Sequence, residues 1–184
     1  MNNLDPLAWH NEEAAKFDTE KALLQKQKNK ISWMRLAVIC IGGWLTIESW
    51  NNSIALAFLV ASITLAIFLG LLARSLSISK KIALLERKSI IHRQEIEIAA
   101  HHFTQRFAGS SLSPKEHPYA ADLDIFGNAS LFQFIHRSTS DQGHQALANW
   151  LLHTTPNNQL RQRQEAVKEL AATTQWSIHF EAIG

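Results

Sequence analysis

The sequence predicts an all-α chain: a two-helix transmembrane hairpin, a helical stalk, and an incomplete helical domain after it. Three observations carry this expectation. Residues 53–73 contain no charged side chain. Residues 33–50, just before them, are nearly as apolar, with Arg35 and Glu48 confined to the ends. Residues 117–184 place apolar side chains at helical spacing behind serines able to cap helices.

The chain has 184 residues, the size of one ordinary domain, but its apolar residues are unevenly spread. They concentrate in residues 33–73. The one cysteine, Cys40, lies in that apolar run, so no disulfide framework exists; this suits a reducing compartment. The net charge of +2 conceals an asymmetry. Residues 1–31 balance five Lys against five acids, residues 74–108 carry +4, and residues 109–184 carry −2. Positive charge therefore gathers beside the apolar segments.

Residues 1–32 read as a cytoplasmic leader. Asp5 followed by Pro6 is a helix start, with Asp as cap and Pro at the first helical position. A helix from there to about Lys30, with Phe17, Leu23 and Leu24 as its apolar points, would lie on the inner membrane face. A solvated or partly disordered leader fits the same residues.

Residues 33–73 read as the hairpin. The uncharged second segment of 21 residues would rise about 31 Å, against a hydrocarbon core of about 30 Å. The first segment is shorter, and Trp33 and Trp50 stand where an aromatic belt would lie. Gly42 and Gly43 are expected to let the second helix approach closely. A signal peptide is excluded by the thirty residues before the segment and the second span straight after it. Lys26, Lys28, Lys30 and Arg35 precede the hairpin, and Arg74, Lys80, Lys81, Arg87 and Lys88 follow it. The connection at residues 48–52 has no Lys or Arg. The bias of basic residues places both termini in the cytoplasm and makes the chain a multi-pass protein of the inner membrane.

Residues 74–108 are expected to continue the helix as a stalk to about Phe107. A 4-3 repeat from Ile78 runs through Ile82, Leu85, Ser89, His92, Ile96, Ala99, Phe103 and Arg106, a packing seam with polar interruptions. Its basic residues would meet anionic headgroups. Residues 109–116 form a linker rich in Ser, ended by Pro114. In residues 117–184, Ser130 should cap a helix with Leu131, Phe132 and Ile135. Ser138 or Ser140 should cap the next, with Leu147, Trp150 and Leu151 on its inner face. Pro156 breaks the pattern, and Asn157 or Asn158 starts a third helix with Leu160, Val167 and Leu170 facing inward. Trp176, Phe180 and Ile183 begin a fourth. Trp150 is expected to be a buried anchor.

No catalytic, cofactor-binding or metal-binding residue can be assigned. The phosphate-cradling pattern G-x-x-x-x-G-K-[ST] does not occur, nor does G-x-S-x-G. Adjacent His101 and His102 would point about 100° apart on a helix and cannot share one tetrahedral metal site unaided. Asp122 and Asp124 read as solvated or capping acids.

One ordered set stands out in the last third: Leu131, Arg137, Thr139, Gly143, Leu147, Trp150, Leu151, Pro156, Arg163, Gln164 and Val167. It resembles the opening of the core domain of the MutS family of mismatch-repair ATPases. With a membrane hairpin before it, the layout is similar to the membrane-attached MutS-related proteins of bacteria. The resemblance implies an anchor and a lever, the core helices coupling a DNA clamp to an ATPase domain that dimerises around ATP. It implies mismatched-DNA binding, ATP and Mg, and a homodimer, all for a full-length protein whose ATPase domain would follow residue 184. The alternative is a membrane-anchored helical interaction module with no DNA role.

Overall fold

The computed structural model describes residues 5–184, so the first four residues of the leader lie outside the described residues. Among the described residues every regular element is helical. The chain divides into two compact units. One is residues 15–87; the other joins the N-terminal end of the first helix to residues 88–184.

Helix α1 spans Pro6–Trp50 and helix α2 spans Ile54–Ala99. Asp5 caps α1 as expected, its Oδ1 accepting from the Leu7 N–H at 3.1 Å. The leader does not end near Lys30. It runs without a break into the first apolar segment, because no Pro follows Pro6 before Trp50. Asn51, Asn52 and Ser53 make the turn, with the Asn52 and Ser53 N–H groups donating to the Ser49 carbonyl.

Within residues 15–87 the two helices pack along a seam with a period of 3.5. On α2 the seam comprises Ala57, Thr64, Leu71, Ile78 and Leu85, with Ala61, Phe68, Ser75 and Ile82 between them, each buried or half-buried. On α1 it comprises Lys21, Lys28, Arg35, Gly42 and Ser49, with Phe17, Leu24, Ile31 and Val38 between. The repeat expected from Ile78 onward therefore begins well inside the apolar segment. Gly42 is a point of close approach, since a Cβ there would run into the Thr64 side chain. Gly43 faces away, with nothing within 4 Å of where its Cβ would be, so only one of the two glycines serves the helix contact. Thr46 and Thr64 satisfy their hydroxyls on their own helices, donating to the Gly42 and Val60 carbonyls at 2.7 and 2.8 Å. Such internal satisfaction is what a hydrocarbon environment demands.

Both long helices are long and apolar enough to cross a membrane. Their large apolar side chains point outward: Trp33 is 72% exposed and Ile47 70%. In water a belt of this size would far exceed the apolar patch a soluble monomer carries.

Helix α2 stops at Ala99 and does not continue to about Phe107. His101 takes a left-handed backbone (φ 60°), the His102 N–H donates to the Glu97 carbonyl at 2.8 Å, and the His101 N–H to the Ile98 carbonyl at 2.9 Å. This paired reversal is the Schellman stop, here built without glycine. The helical repeat in the sequence runs on beyond a point where the backbone has already turned.

The rest of the second unit holds a 3-10 turn at Ser110–Leu112, then α3 (Leu131–Ile135), α4 (Asp141–Leu152), α5 (Asn157–Ala171) and α6 (Thr174–Ile183). Ser130 caps α3 through the Gln133 N–H, and Ser140, not Ser138, caps α4 through the Gly143 N–H, both at 3.2 Å. Pro156 is the N-cap of α5, which starts at Asn157 as expected. Phe132 is fully buried at the centre of this unit, among Phe107, Phe126 and His136. Gly109 (φ 65°) lies against its ring, where a Cβ would come within 2.7 Å.

Several expected core positions are outside that core. Trp150 is 53% exposed, and the guanidinium carbon of Arg163 stands 4.3 Å above its ring. Helix α4 instead turns His144, Leu147, Ala148 and Leu151 inward, a face centred on Ala148 and nearly opposite Trp150. Leu160, Val167 and Leu170 of α5 are exposed, and so are Trp176, Phe180 and Ile183 of α6. Helix α6 buries Ile178 and Ala182.

Candidate functional site

Where α2 ends, the chain leaving it is held by α3. Gln133, 1% exposed, donates from Nε2 to the Thr104 and Arg106 carbonyls at 3.1 and 2.6 Å, and its Oε1 accepts from the Ala129 N–H at 2.8 Å. One side chain thus fastens two loops. His136 follows one turn later. Its carbonyl accepts from Arg106 Nη2 at 2.5 Å and from Arg137 Nη1 at 3.0 Å.

Arg137 is the hub. Its Nε and Nη2 donate to the two oxygens of Glu95 at 2.5 and 2.9 Å, a bidentate pair, and Nη1 also donates to the Phe134 carbonyl at 2.8 Å. Glu95 belongs to α2, so the pair ties the loop between α3 and α4 to the last turns of the long helix. Beside it, Arg137, Ser138, Thr139, Gly143, Ser177 and Glu181 line a cleft of about 590 Å³ that also touches His10. Burial and the nearby Glu95 charge raise the Glu181 carboxyl above its ordinary range, while Arg137 and Arg106 partly offset them.

At the edge of the same cleft, His10 of α1 meets His92 of α2 with their Nδ1 atoms 3.0 Å apart, and Trp9 packs on both rings. One ring must donate and the other accept, so the accepting ring at least is a neutral imidazole. Burial lowers both pKa values; for His92 the His10 ring lowers it further.

His136 is held lowest. Burial first and the Arg106 charge second bring it down to about 4, with His144 and Arg137 adding to the effect against a hydrogen bond to the Gln133 backbone, which raises it. A histidine depressed in the folded state contributes stability above its unfolded value of 6.5 and loses it as pH falls towards 4. His10 and His92 act in the same direction. Glu181 opposes them, because protonation relieves its burial. Thermal melts of the full chain in detergent should therefore show the midpoint falling between pH 7 and pH 4. The decline should be shallower in His136→Asn. An unchanged slope in that variant would contradict the burial of a neutral His136.

Of the residues that carried the family resemblance, Arg137, Thr139 and Gly143 come together in the cleft. Leu147 and Leu151 lie half-buried on the inner face of α4. Leu131, Trp150 and Val167 are exposed. Sequence reading missed Glu95, Gln133 and the His10–His92 pair. His92 did fall on the 4-3 repeat, where it counted as a polar interruption and is in fact 2% exposed. Among the described residues no three His, Cys, Asp or Glu side chains converge as metal ligands. Compared with protein-family models, with characterised proteins and with solved structures, the chain matches none.

Proposed function

We propose that the chain is a membrane anchor joined to a helical lever, the arrangement expected of a MutS-like, DNA-mismatch-related ATPase tethered to the inner membrane. The observation that carries it is the bidentate Arg137–Glu95 pair. It connects the loop bearing Arg137, Thr139 and Gly143 directly to the helix whose other end is apolar over a membrane's thickness. A displacement of α4 would pull on α2 through a charged, directional contact and not through soft apolar packing. In this reading the hairpin fixes the position and the tail transmits the state of its partner. ATP, Mg and DNA would be bound by other parts of such a protein.

A second reading, a membrane-anchored interaction module with no DNA role, is favoured by the exposed Trp176–Phe180 stack on α6 and by the −2 charge of residues 109–184. Nonspecific DNA contact needs Lys and Arg set against phosphates. Both readings expect no mismatch selectivity in residues 1–184, which mobility shifts with matched and mismatched duplexes across a salt series test. Mismatch-selective binding by residues 1–184 alone would sink both.

The anchor itself is tested by labelling. In a Cys40→Ser background, a cysteine at Asn51 should react with an impermeant reagent added outside whole cells, and one at Ser111 only after lysis. The reverse pattern would overturn the orientation with both termini in the cytoplasm, which follows from cations at both ends of the hairpin and none at its turn.

A further inference from the structure

Between Glu20 and Glu86 the sequence has one acid, Glu48, and it lies at the turn of the hairpin. At the opposite end the same stretch carries seven cations without an acidic neighbour in sequence: Lys26, Lys28, Lys30 and Arg35 on α1, Arg74, Lys80 and Lys81 on α2. The first ion pairs appear only below this zone, where Lys21 meets Asp18 and Glu86 at 3.7 Å. The seven make no ion pair with any described acid. Arg35 lies 5.2 Å over the Phe68 ring, and its Nε is enclosed without a protein acceptor.

The Arg35–Phe68 contact sets the relative height of the two helices. At about 1.5 Å per residue, Lys30, Lys28 and Arg74 lie about 7–11 Å beyond that level. Lys26, Lys80 and Lys81 follow within about another 10 Å, roughly one Debye length. The headgroup layer on each side of a bilayer is about 5–8 Å thick, so it meets cations from both helices at once. Just above them Trp33, Leu36 and Leu69 are exposed apolar side chains. A ligand for this zone must present phosphate beside hydrocarbon.

We propose that this acid-free collar is a binding surface for anionic phospholipid headgroups, and that a headgroup with two phosphates binds it better than one with a single phosphate. The preference follows from the layout. Cations on two helices can engage two phosphates of one molecule, and the second contact is then intramolecular. The assignment depends on the hairpin being in the bilayer, and the test reports on that separately.

The full chain is reconstituted in phosphatidylcholine vesicles holding a minor fraction of a lipid with brominated acyl chains, which quench Trp33, Trp44 and Trp50 on contact. Three such lipids are compared: phosphatidylcholine, phosphatidylglycerol, and a diphosphatidylglycerol at equal total phosphate. Expected quenching rises in that order. In the exposed-cation variant K26Q/K30Q/K80Q/K81Q the preference should fall by about fivefold for each charge removed that contacts lipid. Equal quenching by all three lipids in the unaltered chain, or a preference untouched by the four substitutions, overturns the collar. Equal effects of the one- and two-phosphate lipids overturn its two-phosphate form. Absence of quenching by every lipid instead overturns the membrane hairpin. If inorganic phosphate or duplex DNA abolishes the preference while chloride of equal ionic strength does not, the collar is a soluble-anion site and the lipid assignment fails.

Discussion

Phe132→Ala should destabilise the C-terminal helical unit by about 3–5 kcal/mol, enough to unfold most small domains of marginal stability. The ring is fully buried, packed edge-on to Phe107 at 6.0 Å, tilted against Phe126 at 5.5 Å and stacked on His136 at 5.3 Å between centroids. Gly109 also lies against the ring, so this loop cannot collapse into the space without moving the turn at Ser110–Leu112. Truncation therefore leaves a cavity as well as removing transfer energy. The measurement is hydrogen exchange on the full chain in detergent, comparing amides of α4 and α6 with those of the apolar helices. Trp150→Ala is the control. With that ring half in solvent and held chiefly by Arg163, its loss should cost about 1 kcal/mol or less. Similar costs for the two substitutions would mean that Phe132 is not the centre of the unit.

That comparison also shows where sequence reading succeeded and where it stopped. Helix starts were legible because a cap is local: Asp5, Ser130 and Ser140 each satisfy an N–H two or three residues away. The two long apolar helices were legible because the apolar runs are long and nearly uncharged. The seam at Ile78 and Leu85 was legible as a period. Inward faces were harder. Trp150 is three residues from Leu147 and looks like part of its stripe, but tertiary contacts set the inner face around Ala148. On α5 no residue is buried, so periodicity predicted a buried face where the structure has an exposed one. The hub was illegible for another reason. Glu95 and Arg137 are 42 positions apart, and no local rule pairs an acid on a long helix with an arginine in a loop. The Schellman stop at His101 was hidden because its usual residue is glycine.

Gln133→Leu should cost about 2–4 kcal/mol, more than an ordinary polar-to-apolar exchange, because three part-buried backbone groups lose their partner together. The Thr104 and Arg106 carbonyls and the Ala129 N–H each rely on this one amide. Leucine has nearly the same volume, so no cavity term enters and the loss measures unsatisfied hydrogen bonding. Gln133→Glu provides the second variant. Its carboxylate can still accept from Ala129 but turns negative charge on two carbonyl oxygens. It should therefore be the worse substitution at neutral pH and should recover part of the loss on acidification, when a protonated oxygen can donate to one carbonyl. The recovery must be read against Gln133→Leu, since His136 weakens every variant as pH falls. If Gln133→Leu is neutral, water or a rearranged loop replaces the amide, and the segment leaving α2 is not fastened by α3. If it unfolds the tail while the apolar helices keep their exchange protection, this amide is the clamp joining the tail to the end of α2. Arg137 would then be unable to hold Glu95 in the bidentate geometry on which the proposed lever depends.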